Sequence, residues 1–100
     1  MTTPTIKSNG FVWHTAQGDS ISKHISNGNL WEPHILRFID MWLKPKDICI
    51  DVGAHIGLHT LSMARKCGCV IAFEPNPVTL GLLHKNIAEN KFDNVIVMSK

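Results

Sequence analysis

The sequence has no apolar run approaching the ~20 residues that a bilayer-spanning helix needs; runs such as Val70 to Phe73 stop far short. The opening Met1-Thr2-Thr3-Pro4 carries neither the basic start nor the apolar stretch of a secretory signal. Both absences lead to the expectation of a cytoplasmic, unprocessed chain with no membrane partner. Charge of one sign is scarce too: ten Lys and Arg stand against eight Asp and Glu, a formal net charge of +2. The basic residues are scattered singly rather than gathered into a stripe, which offers no electrostatic footprint for nucleic acid, so none is expected as a partner. Cysteine is sparse. Cys49, Cys67 and Cys69 are odd in number and lack the C-x-x-C spacing of a zinc or redox site, so no metal is expected, and they read as reduced thiols of a core. Repeats and low-complexity tracts are absent, and 44% hydrophobic against 18% charged residues is the composition of one folded domain.

What is present is an alternation of helix and strand signals. Residues 1–30 form a lead-in with turn signals at Asn9-Gly10, Gln17-Gly18-Asp19 and Asn27-Gly28-Asn29, and short strands are expected at Gly10–His14 and Ile21–Ile25. Pro33 suits a first helical position, and Ile35, Leu36, Ile39, Trp42 and Leu43 recur at helical spacing, so an amphipathic helix is predicted from Pro33 to Leu43, stopped by Lys44-Pro45. Ile48 to Val52 is apolar at both parities except at Asp51, the mark of a strand buried on two faces. A helix from Gly57 or Leu58 to Lys66 follows, with Gly68 read as its left-handed terminator. Cys69 to Phe73 is a second two-faced strand, Asn76 and Pro77 open a helix to about Asn90, and Val95 to Met98 is a third strand. Strand and helix in turn give an α/β fold with a parallel sheet over residues 31–100.

In such sheets ligands sit beyond the carboxyl ends of the strands. Asp51-Val52-Gly53-Ala54-His55-Ile56-Gly57 follows the first of these strands, and Glu74 ends the second, 23 residues after Asp51. A carboxylate there can accept both hydroxyls of a ribose, as the acid of dinucleotide folds does. The loop reads D-x-G-x-x-x-G, without the middle glycine that admits a pyrophosphate, and it begins with an acid that a phosphate would avoid. A cofactor with a ribose and an amino acid but no phosphate fits better, and S-adenosylmethionine (SAM) meets that description.

These motifs carry a resemblance. Trp31-Glu32-Pro33, Ile50-Asp51-Val52-Gly53-Ala54 with Ile56-Gly57, Ala72-Phe73-Glu74-Pro75-Asn76-Pro77, and Asn86-Ile87 ahead of Asn90 resemble the FkbM-type class I SAM-dependent methyltransferases from Trp31 to Met98. The resemblance implies the N-terminal, cofactor-binding half of a Rossmann-like methyltransferase fold. It implies that Gly53, Ala54, His55 and Gly57 cradle the methionine part of SAM with Asp51 near its amino group. It implies further that Glu74 holds the ribose and that Pro75 and Asn76 flank the adenine. Plainer roles stand beside these: Asp51 as a cap for the loop, the glycines as turn formers, Glu74 as a charge at a helix start. His55 stands where the family usually has Asn, and Glu32 resembles a position that lines the cofactor pocket, with a plain acid at a helix start as the alternative.

The family's later D-x-E-G-x-E type motif does not occur in this sequence, so no catalytic base is nominated and the chain alone is expected to be inactive. Completed by a C-terminal half, it would methylate a small-molecule or sugar acceptor. The alternatives are a non-catalytic SAM-binding module that pairs with another chain, and an interaction module without ligand. Right-handed crossovers taken in one direction would place every helix on one face of the sheet, leaving the other apolar face and the edge of Ile48–Val52 bare. The chain is therefore expected to form a homodimer, aggregate or require a complementary chain.

Overall fold

A computed structural model describes residues 5–15, 23–25 and 31–100. Strands β1 (Thr5–Ser8) and β2 (Phe11–His14) form an antiparallel hairpin in which Ser8 pairs with Phe11. Its two-residue turn is Asn9-Gly10, with φ of 53° and 80°. Positive φ at both positions is the turn whose twist matches a hairpin, and it selects Asn-Gly. The expected strand at Gly10–His14 is β2, while β1, with a single apolar residue in four, gave no strand signal of its own. The expected strand Ile21–Ile25 is not found where it can be checked: residues 23–25 are helical, and Ile21 and Ser22 lie outside the described residues. Ile21 and Ile25 are four apart, a spacing that serves a helix as well as an alternating strand. Ile25 is buried beside Phe11 and Trp13.

Helix α1 (Pro33–Trp42), strand β3 (Ile48–Val52), helix α2 (Leu58–Ala64), strand β4 (Cys69–Phe73), helix α3 (Pro77–Glu89) and strand β5 (Val95–Met98) follow. The three strands form a parallel sheet in the order β3-β4-β5, with Ile50 opposite Ile71 and Ile71 opposite Ile96. One face is packed: Val70 and Ala72 of the central strand are fully buried, under Ala64 and Cys67 at one end and Leu83 at the other. The opposite face is bare among the described residues, as the crossover rule requires. Ile48, Ile50, Val52 and Ile96 keep 71%, 63%, 80% and 52% of their surface exposed.

Three details differ from the sequence reading. Trp42, expected on the inward stripe of α1, is exposed and stacks on Phe38 with ring centroids 6.2 Å apart. Among the described elements helix α1 packs chiefly on α2, and Ile39 is its buried residue. Helix α2 ends at Ala64 rather than Lys66. Gly68 consequently is no left-handed terminator: its N–H donates to the Asp47 carbonyl, and a Cβ there would sit 2.7 Å from the Pro45 carbonyl oxygen. It is a glycine because the backbone leading into β3 passes against it.

The hairpin is fastened to the α/β unit by two asparagines of α3. Asn86 Oδ1 accepts from the His14 N–H at 2.6 Å, and its Nδ2 donates to the His14 carbonyl at 3.2 Å and the Ile56 carbonyl at 2.8 Å. Asn90 does the same to Val12, accepting its N–H at 2.9 Å and donating to its carbonyl at 2.8 Å. Positions four apart on a helix rise about 6 Å and positions two apart on a strand about 6.7 Å. The two side-chain amides thus act as a short strand pairing with the outer edge of β2, satisfying backbone groups that burial would otherwise leave unpaired. Asn86 is fully buried in doing so.

Candidate functional site

The residues expected to form a site converge at the carboxyl ends of β3 and β4. The loop after β3 is drawn onto the neighbouring strand, because the N–H groups of Gly53 and Ala54 both donate to the Phe73 carbonyl at 2.9 Å. Reversing the chain so tightly demands left-handed backbone: Gly53 has φ 75°, His55 57° and Gly57 106°. His, like Asn and Asp, tolerates that region better than most side chains, which accounts for His55 standing where the resembling family has Asn. Nothing lies within 4 Å of a Cβ built at Gly53, which opens onto free space. A Cβ at the buried Gly57 would sit 2.9 Å from Leu83 Cδ1, so that glycine serves packing as well as the turn.

Asp51 and Glu74 are tied down by protein donors. Asp51 Oδ2 accepts the hydroxyl of Thr60 at 2.6 Å, linking β3 to this fully buried residue in the first turn of α2. Glu74 keeps 6% of its surface exposed. Its Oε1 accepts the His55 N–H at 2.7 Å, and its Oε2 accepts the Asn76 N–H at 3.0 Å and the Thr79 hydroxyl at 3.2 Å. An ionised carboxylate offers about four acceptor sites, so Glu74 joins the glycine loop to the start of α3 and retains little capacity beyond that. Asn76 caps α3 as expected, its Oδ1 accepting from Val78 N at 2.9 Å. Pro75 and Asn76 are exposed beside Glu74, whereas Ala54 is buried in the core under the loop.

A cavity of about 80 Å³ opens against this loop, lined by Trp31, Glu32, Gly53, Ala54, His55, Leu58 and His59. Glu32 stands at the N-cap of α1 in left-handed backbone, φ 47° and ψ 61°, and its side chain makes no capping bond. It reaches instead to His59 on α2, where Oε1 and Nε2 are 2.9 Å apart. That hydrogen bond from His59, the foremost cause, holds the Glu32 carboxyl below its usual range. Glu32 lines this cavity, while His59, Thr60 and Thr79 were given no binding role from sequence. Each is a polar residue on a short helical stretch, and nothing in sequence marks its partner until α2 and α3 are packed against the sheet. Among the described residues, no group of three or more His, Cys, Asp or Glu side chains is placed to hold a metal ion, and no helix is long and apolar enough to cross a membrane.

No protein-family model matches the chain, so the comparisons lend the FkbM type no support. Two curated relatives do match. The probable ribosomal RNA small subunit methyltransferase A of Methanosphaera stadtmanae is 32% identical over 56% of this chain and 21% of its own length. Its counterpart in Methanosarcina barkeri is 40% identical over 53% of this chain and 17% of its own. The chain therefore spans about a fifth of the length of these relatives. Among solved structures, M. jannaschii TYW2 in complex with AdoMet superposes with a TM-score of 0.70 at 22% identity, covering 94% of this chain and 41% of that one. Coverage so complete takes in the N-terminal hairpin as well as the sheet. The expectation of SAM as cofactor agrees with that neighbour's ligand. The expectations of a small-molecule or sugar acceptor and of no nucleic-acid partner are overturned, because both curated relatives are ribosomal RNA methyltransferases. These relatives are about five times as long as the stretch that matches, so the scattered charge of this sequence is no guide to their RNA contacts. The chain has the Rossmann-like methyltransferase fold, and about half of its sequence is similar to these relatives.

Proposed function

We propose that this chain is the cofactor-binding portion of an RNA methyltransferase. The observation that carries the reading is the joining of the two motifs at adjacent strand ends: the left-handed loop 53–57, open at Gly53, is fixed by its own N–H to Glu74 beside the start of α3. The site fits SAM because Gly53 leaves room for a ligand against the backbone, and the cavity beside it is polar at Glu32 and His59. The cofactor supplies an activated methyl group when bound. The chain's own residues bind and orient it: Gly53 and His55 flank the methionine part, Asp51 stands below through its bond to Thr60, and the exposed Pro75 and Asn76 border the adenine. Glu74 acts chiefly by holding the loop in shape, with its remaining acceptor capacity toward the ribose. RNA as the acceptor rests on the names of the curated relatives, and the residues that grip and deprotonate it are assigned to parts of a whole enzyme beyond these motifs.

Calorimetric titration with SAM, S-adenosylhomocysteine (SAH) and NAD tests the cofactor reading, with SAM and SAH binding and NAD not. Tighter binding of NAD would sink it. The acceptor reading is tested by radiolabel transfer from SAM to total RNA by the whole enzyme in which this sequence occurs, and label entering only sugars or small metabolites would refute it.

A further inference from the structure

We propose that Glu32 and His59 form a clasp for the amino-acid head of the cofactor, an inference that rests on the SAM reading above. The cavity against the glycine loop, at about 80 Å³, has room for several waters where one needs ~10–15 Å³. It is suited to the small polar end of a ligand rather than to an adenosine. Its two ionisable side chains are an acid and an imidazole 2.9 Å apart, brought together from the starts of α1 and α2. A ligand that replaces such a pair must itself carry a cationic and an anionic group on neighbouring atoms, which an α-ammonium and α-carboxylate do. Glu32 would then accept from the ammonium, and His59 would donate through Nε2 to the carboxylate.

Four features favour that exchange over a merely structural tie. Glu32 holds an N-cap position in left-handed backbone yet gives α1 no capping bond, so its side chain is committed to the cavity at the expense of its own helix. His59 Nδ1 is buried without a partner among the described residues, and Nε2 is the nitrogen that meets Glu32. The pair itself is partly solvated, with the His59 and Glu32 side chains 22% and 43% exposed, and a side-chain contact so open to water holds weakly enough to be displaced. Gly53, with no atom near a built Cβ, gives the incoming head its backbone floor.

The test compares three ligands on the purified chain and its variants: SAH, decarboxylated SAH, and 5′-methylthioadenosine, which lacks the amino acid altogether. His59→Ala should weaken SAH roughly 5- to 10-fold, the effect of one hydrogen bond to a charged group, and leave both other ligands unchanged. Glu32→Gln should weaken SAH and decarboxylated SAH alike and spare methylthioadenosine. His59→Gln, which keeps an N–H donor, should retain SAH affinity within about threefold. Equal loss of all three ligands in His59→Ala would mean that the pair only braces α1 against α2, and unchanged SAH binding in both Ala and Gln variants would equally overturn the clasp. Wild-type chain that binds methylthioadenosine as tightly as SAH overturns the clasp while leaving an adenosine site; wild-type chain that binds none of the three overturns the cofactor reading, and the clasp with it.

Discussion

The bare face of the sheet should dominate the solution behaviour of this chain. Ile48, Ile50 and Val52 of β3 and Ile96 of β5 are 52–80% exposed on one side of a sheet whose other side is packed. Fully burying such a side chain is worth about 1.5–3 kcal/mol. Scaled by their exposure, these four represent about 4–8 kcal/mol in one copy and twice that if two copies meet face to face. Association costs about 4–15 kcal/mol in lost freedom, so the gain is of the size needed for pairing at ordinary protein concentrations, and the edge of β3, unpaired among the described residues, adds hydrogen bonds to it. The perturbation is the triple variant Ile48→Thr, Ile50→Thr, Val52→Thr. Threonine keeps the β-branched shape that suits a strand and removes only apolar surface that the isolated chain does not bury. Size-exclusion chromatography with light scattering should show the parent as a dimer or larger and the variant shifted toward monomer, with no loss of helix or strand signal in circular dichroism. A parent that runs as a monodisperse monomer and melts cooperatively would refute the reasoning, because the exposed face would then have to be covered in solution.

Three further outcomes are expected. Asn86→Ala removes a buried amide that bonds the His14 N–H and two carbonyls, at about 1–3 kcal/mol for a buried group that loses its partner; the hairpin amides should lose hydrogen-exchange protection, and unchanged protection would discount the amide ladder. Gly57→Ala meets both a φ of 106° and a contact of 2.9 Å with Leu83, so it should cost several kcal/mol in denaturant melts, on the order of the strain of left-handed backbone plus overpacking. Burial, ahead of the hydrogen bond with Cys67, pushes the Cys49 thiol up to about 12 from 9.0. The unfolded chain therefore loses that proton first, and stability should fall as pH rises between those values. Urea titrations across alkaline pH, with Cys49→Ala flattening the slope, check the sign.

Local chemistry settled much of this molecule. Asn9-Gly10 dictates its turn, Asn76-Pro77 the start of α3, and the two-faced apolar strands a parallel sheet with crossovers of one hand. Those signals are legible because each depends on neighbours in sequence, and the bare face followed from them by topology alone. The site was legible as a pair of motifs but not as a mechanism of holding. That Glu74 spends its carboxylate on His55, Asn76 and Thr79, that Asp51 meets Thr60, and that Glu32 turns from its own helix to His59 are contacts across 2 to 27 residues. The pairing of Asn86 and Asn90 with β2 spans more than 70 residues. Such partners are fixed by how helices pack on a sheet, which depends on the summed fit of many side chains and leaves no periodic trace in the chain. Gly68 and Trp42 were misread for the same reason. Whether a glycine answers a backbone angle or a passing carbonyl, and whether an aromatic on a helix finds a neighbour to cover it, is decided only when the tertiary structure brings the second surface to the first.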